Sequence, residues 1–167
     1  DSGSVIPRFF GMFFGVGISE ELCKAAIIFW LVRRPGVLLL PQTVVFYAMI
    51  SGLGFGICEG VAYQMTLNRK QGIDDAYFLN IARLTSLPFI HAVWAGLAGY
   101  FISLAVINAR KRYGLWVLAI CVPAFFHAVY NTFGWGLIGL GGALLSVILL
   151  STYLATVQQM HQQLSRP

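Results

Sequence analysis

Long apolar runs separated by short polar breaks make up most of this chain. Each run is close to the roughly 20 residues that an α-helix needs to cross a bilayer, which predicts five membrane-spanning helices. The predicted helices cover about Pro7 to Val32, Gln42 to Gln64, Ile81 to Ala109, Leu115 to Phe133 and Gly136 to Val157. The pattern therefore predicts an all-α fold, a polytopic membrane helix bundle of about five transmembrane helices, with residues 1–167 forming one transmembrane domain.

Composition supports a membrane protein and narrows the possible partners. Apolar residues make up 58% of the chain and charged residues 10%, whereas soluble domains average about 25% charged residues. The net charge of +5 does not indicate a nucleic-acid partner, because most basic residues lie in short loops that set membrane topology. We therefore expect the lipid bilayer as a partner, and no nucleic acid. Cys23, Cys58 and Cys121 have no metal or redox spacing, and we interpret them as small apolar residues.

The basic loops also predict an orientation in the membrane. Arg33-Arg34 and the stretch 110–112 are separated by two predicted spans, so both lie on one side, which the positive-inside rule makes cytoplasmic. The loop from about Asn68 to Asp75 is then extracytoplasmic. Since the chain begins at Asp1 rather than at Met, we expect that it derives from a longer protein.

Ionisable residues inside the apolar runs are the strongest indication of function. Glu20 and Glu21 are adjacent in the middle of a predicted span, where one acid costs about 2.5 kcal/mol or more. Their mutual repulsion requires a partner, a proton or a metal. Glu59, His91 and His127 also lie inside apolar runs, and the predicted topology places them at similar depth toward the outside. We expect Glu20 and these three residues to face one shared cavity.

Two helical spacings point to hydrolytic chemistry. Lys24 lies four residues after Glu20 and three after Glu21, so one carboxylate can pair with it while the other is free to act as a general base. His127 and Asn131 share a helix face. Imidazoles and a carboxylate suit a zinc ion with one open position, which makes Glu59, His91 and His127 the candidate ligands. Without metal, His127 and Asn131 could instead support an oxyanion, and Glu59 could orient water; the sequence leaves both possibilities open.

Glycines at positions 52, 56 and 60 repeat every four residues along the second predicted helix. Such a ridge of small residues allows two helices to approach closely. No strand precedes these glycines, so they are not a nucleotide-binding fingerprint, and we interpret them as structural.

Four motifs in this order resemble those of the PrsW family of intramembrane proteases. They are Glu20-Glu21-x-x-Lys24, Phe55-x-x-x-Glu59, His91 and His127-x-x-x-Asn131. The related CAAX prenyl endopeptidases and bacterial CPBP proteins have Arg after the Glu pair and His at the end of the second motif, and a γ-secretase scaffold subunit is a non-catalytic relative. Lys24 and Glu59 therefore favour PrsW specifically.

The resemblance implies an intramembrane protease, metalloprotease chemistry with zinc as a candidate cofactor, and an integral protein of a bacterial or archaeal plasma membrane. Its expected substrate is a membrane-anchored protein, such as an anti-sigma factor, cut near the extracytoplasmic side. By resemblance Glu20 is the catalytic glutamate and Glu21 its structural neighbour paired with Lys24. His127 and Asn131 form the last motif.

Two other functions are compatible with buried polar residues. A non-catalytic membrane scaffold would retain histidines, but retention of both Glu20 and Glu21 favours an enzyme. A proton- or cation-coupled transporter would also carry intramembrane carboxylates. Transporters usually contain internal repeats, and this chain has no visible repeat.

Overall fold

The computed structural model describes residues 4–36, 40–66, 73–134 and 136–164, and these residues form helices with no strand among them. The helices are α1 (Val5–Gly11), a π-helical segment (Met12–Gly17), α2 (Ile18–Arg33), α3 (Pro41–Thr66), α4 (Ile73–Ile107), a 3₁₀ turn (Ala109–Lys111), α5 (Arg112–Phe133) and α6 (Leu137–Leu164). These helices confirm the all-α membrane bundle predicted from the apolar runs. Helices suit a bilayer because each one satisfies its own backbone hydrogen bonds.

The first predicted helix contains a π-helical segment that the apolar pattern does not predict. α1, the π-segment and α2 follow one another without a break, since Gly11 and Ile18 keep helical backbone angles. Just after the segment, the Ser19 hydroxyl donates to the carbonyl oxygens of Gly15 and Val16 at 2.8 and 2.9 Å, a type of bond that often bends helices. The π-segment ends one turn before Glu20, and π-segments occur frequently at functional sites.

Among the described residues, four helical stretches are individually long and apolar enough to cross a membrane: Pro41–Thr66, Ile81–Ile107, Ala109–Phe133 and Leu137–Gln159. The first of the five predicted spans is not one of these four, because the π-segment separates it into two shorter α-helices, α1 and α2. α4 begins eight residues before the predicted start at Ile81, and α6 continues beyond the predicted end at Val157. The length of an apolar run therefore did not predict where these two helices begin and end.

α4 is the central helix of the bundle, since most of its membrane-length portion is buried by its neighbours, whereas α6 is largely exposed. Large apolar side chains on the outer faces, such as Phe14, Phe46 and Leu144, are exposed, as expected where acyl chains provide the surroundings.

Glycines bring the site-bearing helices together, as the ridge in α3 predicts. A Cβ added at Gly52 would lie 2.2 Å from the carbonyl oxygen of His91, and one at Gly56 would lie 2.7 Å from the Cα of Pro88. A Cβ at Gly17 would lie 2.9 Å from the carbonyl oxygen of Ala124 in α5. The backbone contact at Gly52 sets α3 against His91, and the contact at Gly17 sets the start of α2 against α5, one turn before His127.

Both basic loops lie at the same end of the bundle, as the sequence predicts. The guanidinium carbon of Arg33 lies 4.6 Å from the ring centroid of Trp116, and that of Arg112 lies 5.3 Å from it. One indole side chain therefore contacts the end of α2 and the start of α5.

Candidate active site

Glu21 and Lys24 form a buried ion pair within α2. The Lys24 ammonium donates to Oε1 of Glu21 at 2.5 Å, and both side chains are 0–1% exposed. The three-residue spacing places both groups on one helix face. Lys24 thus pairs with Glu21 rather than with Glu20, which leaves Glu20 as the carboxylate of the pair that is not bound to the ammonium.

His91 bridges Lys24 and Glu59. Its Nδ1 lies 2.9 Å from Nζ of Lys24, and its Nε2 lies 2.8 Å from Oε2 of Glu59. An ammonium can only donate, so Nδ1 of a neutral His91 accepts and the ring proton is on Nε2, where it is donated to Glu59. α2, α3 and α4 are joined at their polar positions by this chain of hydrogen bonds.

His127 lies between the two glutamates of α2. Its Nδ1 is 3.3 Å from Oε1 of Glu21, and its Nε2 is 3.6 Å from Oε2 of Glu20. Donation from Nδ1–H to Glu21 fixes the tautomer and leaves the Nε2 lone pair directed toward the Glu20 side. Glu21 therefore has two roles in the geometry, as the partner of Lys24 and as the group that orients His127.

Aromatic rings enclose the two histidines. The Trp94 indole stacks on the His127 ring at 4.6 Å and meets the His91 ring edge-on at 5.4 Å. The Phe55 ring lies 5.4 Å from His91. Trp94 is 1% exposed, and its indole N–H has no hydrogen-bond partner among the described residues. The rings exclude water from one side of the centre and restrict the orientation of both imidazoles.

A small cavity of about 150 Å³ opens onto this centre. Four predicted site residues line it: Glu59, His91, His127 and Asn131. Glu20 lies beside the cavity residue His127, with its Oε2 3.6 Å from Nε2 of that ring, and its side chain is 19% exposed. A volume of this size holds several water molecules, so the carboxylates have access to water despite their depth in the bundle.

The cavity wall also contains residues that the sequence analysis did not identify as part of the site. They are Tyr63, Arg83, Ser86, Leu87, Trp94 and Tyr130. The Arg83 guanidinium carbon lies 4.2 Å from the Tyr63 ring centroid. Helical spacing offers a signal for some of them, because Tyr63 follows Glu59 by four residues and Trp94 follows His91 by three. Arg83 is noticeable in the sequence because it is a single basic residue within an apolar stretch.

The structure brings together Glu20, Glu21, Glu59, His91 and His127, while Asn131 stands slightly apart. Asn131 lines the cavity, and its described hydrogen bond is through the backbone, where its carbonyl oxygen accepts from Nη2 of Arg8 at 3.4 Å. Its side-chain amide has no described bond to either histidine.

The donor set fits a divalent metal in chemical type and spacing. One ligand atom each from Glu20, His91 and His127 lie within 4.8 Å of one another, and Oε2 of Glu20 is buried without a hydrogen-bond partner among the described residues. His127 offers a free Nε2, whereas His91 must release its Nε2 proton first, since metal ligands are deprotonated. The predicted ligand set has Glu59 in the carboxylate position; the structure groups Glu20 with the histidines and places Glu59 against His91.

Fold and site together define a polytopic helical membrane protein with a buried glutamate–histidine centre that is accessible to water. A family model described as the PrsW family intramembrane metalloprotease matches residues 1–157. The chain belongs to this family, which confirms the resemblance drawn from its four motifs, and it is an integral membrane protein of a protease family. Searches of curated proteins and of solved structures gave no significant match.

Proposed function

We propose that this protein is an endopeptidase that cleaves a membrane-anchored protein, such as an anti-sigma factor, near the extracytoplasmic face of a bacterial or archaeal plasma membrane. The observation that carries the proposal is the convergence of Glu20, His91 and His127 within 4.8 Å, beside a cavity with room for water. Membership of a protease family supports the same reaction. Peptide hydrolysis needs a base for water, a stabilised oxyanion and a proton for the leaving amine.

Glu20 is the proposed general base. Glu21 is fully buried and already holds Lys24 and His127, so its carboxylate is structural. Glu20 is partly exposed, and its Oε2 has no hydrogen-bond partner among the described residues. Glu20 takes a proton from water as the hydroxyl oxygen bonds to the scissile carbonyl carbon. It then returns that proton to the amide nitrogen as the C–N bond breaks.

The remaining residues position the reactants. Glu21 holds the His127 ring through Nδ1, and Lys24 and Glu59 hold the His91 ring from its two nitrogens. Asn131 lies at the cavity wall one turn after His127, where its amide N–H groups would donate to the oxyanion. Trp94 shields the imidazoles from the apolar side of the cavity.

Zinc is the proposed cofactor, held by His91, His127 and Glu59. When bound, such an ion polarises a carbonyl oxygen and lowers the pKa of coordinated water. Glu59 lies 2.8 Å from Nε2 of His91, so both residues would present ligand atoms to such an ion once His91 has released its Nε2 proton. This assignment keeps Glu20 free to serve as the base.

Cleavage of a single-span reporter by the purified protein tests whether Glu20 is the general base. Glu20→Gln retains shape and hydrogen bonding but cannot accept the proton, and we expect the rate to fall by about two to four orders of magnitude. Cys23→Ala, an exposed substitution in the same helix, is the control and should cleave normally. A near wild-type rate for Glu20→Gln would refute the assignment.

The zinc content of purified variants distinguishes the proposed metal ligands from the proposed general base. Protein purified without chelator should contain about one zinc per chain. Glu20→Gln should retain zinc, whereas His127→Ala and Glu59→Gln should lose it. Loss of zinc from Glu20→Gln but not from Glu59→Gln would make Glu20 the ligand. Full activity without zinc and in the presence of phenanthroline would leave a metal-free glutamate mechanism.

Cysteine labelling tests the extracytoplasmic location of the cut. In a background without the three native cysteines, Gln71→Cys should react with an impermeant reagent from outside the cell, and Lys111→Cys should not. Labelling of position 111 from outside would reverse the orientation and place the cleavage on the cytoplasmic side.

A further inference from the structure

A second polar feature lies at the opposite end of the bundle from the candidate active site. The ends of α2 and α4, the 3₁₀ turn and the first turn of α5 enclose a cleft of about 330 Å³. We call it the basic cleft. Its wall includes Val32, Arg33, Val106, Ala109, Arg112 and Trp116.

Two guanidinium groups share one indole in this cleft. The guanidinium carbons of Arg33 and Arg112 lie 4.6 and 5.3 Å from the Trp116 ring centroid, so they are no more than about 10 Å apart. Cation–π contact with the electron-rich ring face holds each group in place. The indole thereby brings two positive charges from different helices to one cleft.

Within the part of the chain that the structure describes, no carboxylate compensates these two charges. Among the described residues, neither Arg33 nor Arg112 forms an ion pair, and every ion pair there involves Glu20, Glu21 or Glu59. Asp74 and Asp75 lie in the first turn of α4, more than 30 residues before its cleft end. Two nearby guanidinium groups repel each other, so an anion from outside the chain would stabilise the arrangement.

The position and lining of the cleft indicate which anion fits. Arg33 ends α2 and Arg112 begins α5. In a bundle that spans a bilayer, such helix ends are expected where headgroups meet water, and tryptophan is enriched at that level. Guanidinium groups bind phosphate oxygens in bidentate fashion. Val32 and Val106 give the same cleft an apolar wall, which suits the glycerol and first acyl carbons of a lipid but not a free phosphate ion. α5 also begins here without a side-chain N-cap, and a helix N-terminus favours an anion.

We propose that the basic cleft binds the headgroup phosphate of an anionic glycerophospholipid in the leaflet that faces the two basic loops. Arg33 and Arg112 bind the phosphate oxygens, and Trp116 orients both guanidinium groups. The aliphatic wall contacts the first carbons of the acyl chains. Basic pockets between membrane helices are a known form of lipid recognition. This site is separate from the protease centre, so the proposal does not depend on the proposed function.

Lipid retention by the purified full chain tests the proposal. Wild-type protein in neutral detergent is incubated with phosphatidylglycerol or phosphatidylcholine, and bound lipid is counted by native mass spectrometry. Phosphatidylglycerol should be retained preferentially at one lipid per chain. The double variant Arg33→Gln/Arg112→Gln should retain it at least about tenfold less, because the loss of even one charge-assisted hydrogen bond corresponds to roughly that factor.

A matched double variant controls for surface charge. Arg34→Gln/Arg110→Gln removes the same charge from the same face but outside the cleft, and it should retain lipid like the wild type. Equal loss in the two double variants would overturn the proposal in favour of diffuse electrostatic attraction. Equal retention of phosphatidylcholine would overturn it as well, since no anionic headgroup would be recognised.

Two further controls test whether lipid is lost because the variant misfolds and whether the cleft binds free phosphate instead of lipid. Arg33→Lys/Arg112→Lys keeps both charges but loses the planar fork, so it should fold and still retain lipid several-fold less; wild-type retention by this variant would contradict bidentate binding. Inorganic phosphate at millimolar concentration should not displace the lipid. Efficient displacement would assign the cleft to a free anion instead.

Discussion

The polar centre and the basic cleft both carry uncompensated charge, but of opposite sign and in different surroundings. The polar centre contains three carboxylates, one ammonium and two imidazoles: Glu20, Glu21, Glu59, Lys24, His91 and His127. Hydrogen bonds link all of these except Glu20, whose Oε2 lies 3.6 Å from Nε2 of His127, and aromatic rings enclose the two imidazoles. The basic cleft has two exposed arginines that contact aromatic rings, and no described residue of its wall is a carboxylate. Buried charges require partners within hydrogen-bond distance, whereas charges at the interface can use the lipid.

The difference explains what each region needs from outside the chain. With its carboxylates ionised and its histidines neutral, the polar centre has two negative charges more than Lys24 can balance. A divalent cation or two protons would complete it, and either suits hydrolysis. The basic cleft instead has two positive charges, which an anion would balance. One chain thus has a cation-requiring centre within the membrane and an anion-requiring cleft at its surface.

The largest expected effect comes from breaking the internal charge pair. Lys24→Met leaves the fully buried Glu21 carboxylate without its ammonium and deprives His91 of a donor, which should lower the free energy of unfolding by about 3–5 kcal/mol. Lys111→Met, an exposed change, should shift it by less than about 0.5 kcal/mol. Denaturation in detergent measures both.

The double variant Glu21→Gln/Lys24→Met sharpens this result. It removes both charges of the pair, so its cost should be less than the sum of the two single variants. Additive costs would show that the two residues act independently, and the account of Glu21 and Lys24 as a coupled ion pair would fail.

The second effect concerns the packing that creates the polar centre. Gly52→Ala introduces a Cβ that would lie 2.2 Å from the His91 carbonyl oxygen, so α3 and α4 must separate. We expect about 1–3 kcal/mol of destabilisation and a loss of cleavage of about 10²-fold, since a displacement of about 1 Å has that effect on catalysis. Gly54→Ala has nothing within 4 Å and is the control. Equal activity of the two variants would show that the close approach of α3 and α4 is not needed.

The helices and their tight approach could be predicted from sequence, whereas the π-segment could not. Apolar run length and the four-residue glycine spacing are local signals, and they correctly indicated the bundle and the α3 ridge. Gly17, the last residue of the π-segment, packs against Ala124 of α5. Such long-range contact leaves no periodic signal in the apolar pattern.

The members of the polar centre could likewise be predicted, but their pairings could not. Each of Glu20, Glu59, His91 and His127 is conspicuous because the bilayer penalises it. The pairing of His91 with both Lys24 and Glu59 depends on the relative rotation of three helices. Helical spacing alone left the choice between Glu20 and Glu21 as the partner of Lys24 open, and the ion pair with Glu21 decides it.

A smaller effect is expected at the rim of the cavity. Arg83 lies beside Tyr63 in the wall that also contains Glu59, so its guanidinium can donate to carbonyl oxygens of an entering substrate. Arg83→Gln should raise KM about tenfold with little change in kcat, because the group acts on binding rather than on the reacting atoms. Arg83→Lys should recover part of the affinity. A fall in kcat at constant KM would instead place Arg83 in the chemical step.

The smallest effect separates the basic cleft from ordinary surface aromatics. Trp116→Phe weakens the cation–π contacts with Arg33 and Arg112 by about 0.5–1 kcal/mol, but it also removes a buried indole N–H that has no partner among the described residues, which costs about 1–3 kcal/mol when unsatisfied. Stability should therefore not fall, while retention of phosphatidylglycerol should drop about threefold. Trp30→Phe is the matched control, since Trp30 stacks with Arg34 at 4.5 Å outside the cleft. If both variants reduce lipid retention equally, aromatic residues along the interface hold lipid in general, and the contrast between a built anion site and a merely basic surface disappears.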